Sequence, residues 1–593
     1  MKPRQTPLLN FLVLSLGIVG TAGTLFLDSA HAGNSTWQGT GTNLHTSGNW
    51  TAGLPTASGD TATWNGTHTG NLQLTWLTAF GSANNGTSIN ITNTQTGSLR
   101  LASSSANAGN TDQFALRDIT IANGAGAFTL GDSIGNDGIV FRNAGSPGPY
   151  INTFTNHDDN TATFASNLFF ASGGGQWRTL VFAGSGNWTV NAPLTIVSGG
   201  SGNFYLTKND AGTLTLNAVN GYTATTTVNG GLLSITSSGG LASGNALTIG
   251  ASGKADFANA GQTLGAVDNA NTTANALNFS ASTGTITLAS LAGAGNTRFG
   301  SNGTVTGGIS TGTVNAVGLL TASISGGTVA ASSLSSTAVS GGAATVSGVA
   351  TIATMSAGTA NLNGATSAIT TLNGGTVNLG SSTVLTVNDG TTSGSITGSG
   401  GSLTKSGAGT LTLASGGTYN YNGATSVTDG KLIVNGNIST STTTVSGTGT
   451  LGGGGTVGSV IVQAGGTFAP GNSIDNFDIA GALTLGTSSF SVFEINTAGD
   501  ISDLAIVSGL LTFGGTLNVN NVGSTLVNGD TFDLFNWGSK SGTFSAVNLP
   551  VLDSGLTWDD TALYTNGTIT VVPEPHAALL GGLGLLALLR RRR

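Results

Sequence analysis

No cysteine occurs anywhere in the 593 residues. That removes disulfides, thiol nucleophiles and thiolate metal sites together. Charge is nearly as scarce: 7% of residues are charged, and the only glutamates are Glu494 and Glu574. Ten prolines stand against 97 glycines that follow no every-third-residue rule, which excludes a collagen helix. Disorder needs high charge and low hydrophobicity; here 38% of residues are hydrophobic and charge is low. The formal net charge is −8, and six of the sixteen bases sit at the two ends, so the body is acidic. No nucleic-acid partner is expected of such a surface.

Catalytic patterns are also missing. No Gly-x-Ser-x-Gly elbow, phosphate loop or His-Glu-x-x-His is present. His45, His68 and His157 have no partner at metal-ligand spacing. The two Asp pairs, Asp158-Asp159 and Asp559-Asp560, are sequence neighbours. Neighbours on a strand point to opposite faces, so neither is a natural acid/base couple, and both read as exposed turns. "GDSIGNDG", with Asp132, Asn136 and Asp137, and "NHDDN" offer oxygen ligands for calcium but fit neither the EF-hand nor the calcium β-roll spacing. No enzyme, cofactor or metal site is expected.

What is present is Thr, Ser, Val, Ala, Leu and Asn between glycines, a mixture suited to short strands and tight turns. Two distant stretches align: "LTKNDAGTLTLNAVNGYTATTTVNGGLLSI" from Leu206 and "LTKSGAGTLTLASGGTYNYNGATSVTDGKLIV" from Leu403. Leu206, Lys208, Gly212, Leu214 and Leu216 match Leu403, Lys405, Gly409, Leu411 and Leu413. Further on, Tyr222, Val228, Gly231, Leu233 and Ile235 match Tyr421, Val427, Gly430, Leu432 and Val434. Each reads as strand, turn, strand with period two. A unit this small buries its apolar face only by stacking on its neighbours. At these residues the chain resembles the autotransporter-associated β-strand repeat. The resemblance implies an all-β fold, a right-handed parallel β-helix, and a secreted passenger. "GGTFAPGNS", from Gly465 to Ser473, is similar to the final coil of such passengers.

Phe299 to Asn388 contains no charged residue; it reads as degenerate solenoid, with a flexible Gly/Ser/Thr linker as the alternative. The N-terminal region holds Trp37, Trp50 and Trp64. It resembles the opening motif of exported β-helical proteins, so these rings are expected to close the open first coil; a carbohydrate-binding platform is the alternative. Five regions follow: a signal peptide (1–32), an aromatic-rich N-terminal β region or cap (33–200), the β-solenoid (201–472), a C-terminal β region or cap (473–571) and a tail (572–593). A stack of roughly 15–20 coils at ~4.8 Å each would be on the order of 70–100 Å long. No series of amphipathic barrel strands is seen, which departs from an autotransporter.

Both ends read as targeting segments. Lys2 and Arg4, a long apolar run, and small Ala30 and Ala32 before Gly33 fit a cleavable signal peptide, with a retained anchor as the alternative. The C-terminus runs Pro573-Glu574-Pro575, then an apolar stretch with Ala577, Leu579, Leu580, Leu583, Leu585, Leu586, Leu588 and Leu589, then Arg590, Arg591, Arg592 and Arg593. It reads as a short transmembrane helix with a cytoplasmic basic stop. In that order the three parts resemble the PEP-CTERM sorting signal. The resemblance implies an exosortase as processing partner, a membrane-tethered precursor, and release to the cell surface or extracellular matrix. The expected function is structural or adhesin-like, with extracellular polysaccharide as a candidate partner. A polysaccharide-active enzyme on a β-helix and an autotransporter-type passenger are the alternatives.

Overall fold

The protein is described by a computed structural model over residues 34–39, 41–55, 60–66, 70–76, 86–103, 114–131, 139–141, 150–165, 168–170, 177–196 and 203–591. Ala30, Ala32 and Gly33 of the expected signal peptide, His68, and Asp132, Asn136 and Asp137 of "GDSIGNDG" lie outside these. Within them, 51 strands join in one hydrogen-bonded network, nearly all by parallel pairing. Each coil lays its strands on those of the coil before it. Leu206, Thr226, Leu247, Val267 and Leu291 are successive register partners along one inward column. Period-two alternation makes this work: Phe204, Leu206 and Lys208 point in, while Tyr205 and Thr207 point out. The result is a parallel β-helix on the order of 100 Å long at ~4.8 Å per rung.

The uncharged stretch 299–388 is solenoid, not linker. Thr313, Thr328 and Ala343 are successive register partners, so the coils here are short and evenly spaced. The same ladder also runs through the described residues between 86 and 196, where the coils are longer: Ala162 pairs with Trp188, and Trp188 with Leu214.

Trp37, Trp50 and Trp64 are 2%, 2% and 1% exposed and pack edge to face, with ring centroids 5.1 and 5.5 Å apart. Trp37 and Trp50 form an antiparallel bridge, and Thr51 N–H donates to the Thr36 carbonyl. This segment folds back over the first strand and covers its edge. The sugar-platform alternative fails at these rings because no indole face is accessible. At the other end, Thr531–Asp533, Leu556–Asp559 and Thr568–Pro573 form a small antiparallel sheet. Phe532, Leu563, Ile569 and Val571 are buried there, with Leu534 N–H bonded to the Gly567 carbonyl.

The structure corrects the expectation of a transmembrane tail. Pro573 still belongs to the β-structure: it pairs with Leu556, and Glu574 N–H donates to the Gly555 carbonyl at 3.0 Å. Proline is tolerated because it is the last residue of its strand, beyond the residues that pair with Thr531–Asp533 on the other side. The helix that follows, Pro575–Arg590, has 16 residues. At ~1.5 Å per residue it is about 24 Å long, short of a ~30 Å hydrocarbon core. No helix among the described residues is long and apolar enough to cross a membrane. Leu583, Leu585, Leu586, Leu588 and Leu589 are exposed along it, and Arg590 lies in its last turn. Ala577, Leu579 and Leu580 fall within the helix; Arg592 and Arg593 lie outside the described residues.

Candidate functional site

The chemistry-bearing residues of the two repeats do the same work in both. Lys208 is 1% exposed and Lys405 is 0% exposed. Each occupies an inward column that is otherwise apolar: Val387, Lys405, Val427 and Val445 are successive partners. A buried ammonium needs acceptors. Lys405 Nζ donates to the carbonyls of Ser406 (3.1 Å), Gly407 (2.7 Å) and Asp429 (3.0 Å). Lys208 Nζ donates to those of Asn209, Asp210 (2.9 Å) and Gly230 (3.3 Å). In both, two acceptors follow the lysine directly and the third lies on the next coil. The lysine therefore bolts a corner of one coil to the corner stacked on it. Burial pulls the Lys208 amine down to about 8, with Asp210 opposing the shift. Burial also lowers Lys405, against Asp429 and Asp389.

The second fastener is a hydroxyl relay. Tyr222 and Tyr421 are fully buried. The Tyr421 hydroxyl lies 2.7 Å from Thr425 Oγ1, which lies 2.7 Å from Ser441 Oγ; Ser441 donates to the Gly423 carbonyl at 2.7 Å. Since Ser441 has a single proton, the direction is fixed: Tyr421 donates to Thr425, and Thr425 to Ser441. In the first copy Tyr222 is 2.9 Å from Thr226, Thr226 donates to Asn245 Oδ1 at 2.8 Å, and Asn245 Nδ2 donates to the Ala224 carbonyl. Desolvation pushes both phenols well above their ordinary range. Gly231 and Gly430 turn the chain between the strands with φ of 65° and 63°. A side chain there would also strike the carbonyls of Gly212 and Gly409, the other matched glycines. Sequence comparison found the lysines, tyrosines and glycines. It missed Thr226 and Thr425, although each stands four residues after its tyrosine.

Long stretches of the outer surface are polar and repetitive. Ser335, Thr351, Ala368, Thr386, Thr404, Ser426 and Thr444 follow one another in register along one outward column. On another face Thr345, Asn361, Asn378 and Thr397 are linked by side-chain bonds of 3.0, 2.7 and 2.6 Å. These ladders fix register and present hydroxyl and amide groups to solvent.

The acidic pairs are structural. Asp158 is 3% exposed, not an exposed turn residue: its carboxylate accepts the N–H of Gly124 and of Asn160, both at 2.7 Å. Asp559 accepts Thr561 N–H at 3.1 Å and its hydroxyl at 2.6 Å. The most perturbed carboxyl was not anticipated. Asp503 is 1% exposed and accepts Glu494 N–H at 2.7 Å and Asp475 N–H at 3.2 Å. Burial raises it to about 7. It is sealed beside Gly471, whose φ is 84°, where any side chain would overlap its carboxylate. It holds the end of the "GGTFAPGNS" coil in place.

The family model of the Passenger-associated-transport-repeat matches at residues 206–235 and 403–434, the two repeat copies. A curated relative, the Adhesin BmaC autotransporter of Brucella suis, is 34% identical over 174 residues, which is 28% of this chain and 5% of that protein. The chain thus matches only a small part of its relative's length. Among solved structures, the Hap adhesin of Haemophilus influenzae aligns over 89% of this chain and 65% of its own, at 12% identity and a TM-score of 0.32. The repeat matches and the Brucella relative point to an autotransporter passenger. They correct the reading of the tail as a PEP-CTERM sorting signal, and with it the exosortase as partner.

Proposed function

We propose that this chain is an exported, adhesin-like passenger: a β-solenoid displayed at the cell surface and working by non-covalent contact rather than catalysis. The observation that carries this is the pair of passenger repeats, each placing the same buried lysine and tyrosine fasteners between coils. Fasteners of this kind give a long rod mechanical continuity without disulfides. Similarity to an autotransporter adhesin supports the adhesive role. The outward Ser/Thr/Asn ladders support it physically, since they offer many weak neutral hydrogen-bonding groups along one axis. Extracellular polysaccharide is the partner such a surface suits.

Two measurements on one preparation test this. Protease treatment of intact host cells is expected to remove the chain while sparing cytoplasmic markers. Incubation of the purified chain with polysaccharides is expected to release no new reducing ends and no unsaturated sugars. A chain protected in intact cells contradicts display; released sugar would establish the polysaccharide-active alternative.

A further inference from the structure

Of the eight tryptophans, five are at most 2% exposed and Trp537 and Trp558 pack against the core. Trp177 is the exception, 57% exposed. Burial is the ordinary fate of an indole, because the ring carries a large apolar area. Strand parity puts this one outside: Arg178, Leu180 and Phe182 point inward, so Trp177 and Thr179 face solvent. Thr179 pairs with Ile151 on the preceding coil and with Tyr205 on the next. The rings of Trp177 and Tyr205 lie 6.2 Å apart, inclined by 57°. At that inclination the rings do not stack on each other; Trp177 is largely exposed and Tyr205 partly so. Ile151, 49% exposed, extends the apolar strip.

The rim is neutral. The outward positions around the rings are Thr153, Thr179, Val181, Asn203 and Thr207. Arg178 is turned inward over the buried Tyr150 ring, 5.1 Å from its centroid. The carboxylate of Asp118 is engaged by Arg117 at 3.0 Å and by Thr153 N–H at 2.9 Å. Hydrophobic faces edged by hydroxyl and amide groups, without free charge, match the surface of a pyranose, whose C–H face stacks on aromatic rings while its rim of hydroxyls bonds outward. Two rings on successive coils suit consecutive sugars of one chain rather than a single monosaccharide.

The geometry points to a glycan-stacking platform formed by Trp177 and Tyr205 that takes a neutral polysaccharide. It rests on the surface-adhesin reading and names the ligand class for it. The test is native affinity electrophoresis of the full chain through gels containing hydroxyethyl cellulose, laminarin, xylan or alginate. Retardation is expected in at least one neutral gel. Trp177→Ala is expected to weaken it at least tenfold, Tyr205→Ala less, and Tyr205→Phe little, with circular dichroism melting unchanged because the rings are outside the core. No retardation in any neutral gel, equal retardation by Trp177→Ala, or retardation by alginate alone overturns the platform. Attachment of intact cells is scored alongside. Attachment kept by Trp177→Ala cells, with no neutral-gel retardation, sinks the platform and leaves the adhesin; wild-type cells that never attach sink the adhesin itself.

Discussion

The coils before the first repeat and the uncharged coils between the repeats solve one problem with different means. Around Trp188 the register runs from Ala162 through Trp188 to Leu214, so each coil takes a long stretch of chain. The interior there is filled by rings: Phe154, Phe164, Phe182 and Trp188 pack with centroids 5.1–6.1 Å apart. From Thr313 through Thr328 to Ala343 the coils close over much shorter stretches, around Val314, Val329 and Ala344. A longer coil encloses more volume, and only bulky side chains fill it at normal packing density. Short coils need nothing larger than valine or leucine. Core composition therefore follows coil length. The two repeats stand at intermediate lengths, from Leu206 to Thr226 and from Leu403 to Thr425; there a buried lysine satisfies corner carbonyls and a buried tyrosine heads a hydroxyl relay.

This contrast can be broken by mutation. The largest effect is expected from Trp188→Ala, about 3–5 kcal/mol, because the wide coil cannot collapse around the lost ring. Val377→Ala in a narrow coil is expected to cost roughly 1–2 kcal/mol by the smaller area removed. Chemical denaturation with hydrogen exchange, which reads local opening in a stack of coupled coils, checks both. If the two costs are equal, coil length does not govern the core.

Next comes Lys405→Met, expected to cost about 2–4 kcal/mol by leaving three part-buried carbonyls without their donor. Its hydrogen-exchange signature should be confined to coils near residues 405–430. Tyr421→Phe is expected to cost about 1–2 kcal/mol, since Thr425 keeps Ser441 as a partner. A larger loss from Tyr421→Phe than from Lys405→Met would mean that the hydroxyl relay, not the lysine, is the main fastener.

The smallest effects are pH-dependent. Lys208 titrates near 8 when folded and near 10.5 when free, so between those values the unfolded chain holds a proton the folded chain has released. Stability from this group rises with pH across that window. Asp503 runs the other way: it titrates near 7 when folded against an ordinary 3.8. Its contribution is complete below about pH 4 and is lost as pH rises through 7. Melting temperature against pH, with Lys208→Met and Asp503→Asn, should show each slope disappear from its own window.

Much of this was legible in the sequence. Alternating "TLTL" and "LLSI" segments predicted strands, and the alignment of two distant stretches predicted stacked coils, because side-chain parity is a local property. Lys208 and Lys405 were found as matches, but their role was not readable: their third acceptors, Gly230 and Asp429, lie a coil away. The same holds for Asp503, whose burial depends on three segments meeting. Trp177 was overlooked although Leu180 and Phe182 already set the parity that turns it outward. The tail misled because Pro-Glu-Pro and an arginine cluster carry no information about the strand Leu556–Asp559 that pairs with Pro573.

The most direct test of the central claim is attachment of the native host to polysaccharide-coated surfaces, comparing wild type, a deletion of this gene, and the deletion complemented with the intact chain. Attachment that falls on deletion and returns on complementation is the result expected of a surface adhesin. Unchanged attachment in the deletion strain, with the protein shown to be present on wild-type cells, would contradict the adhesive function.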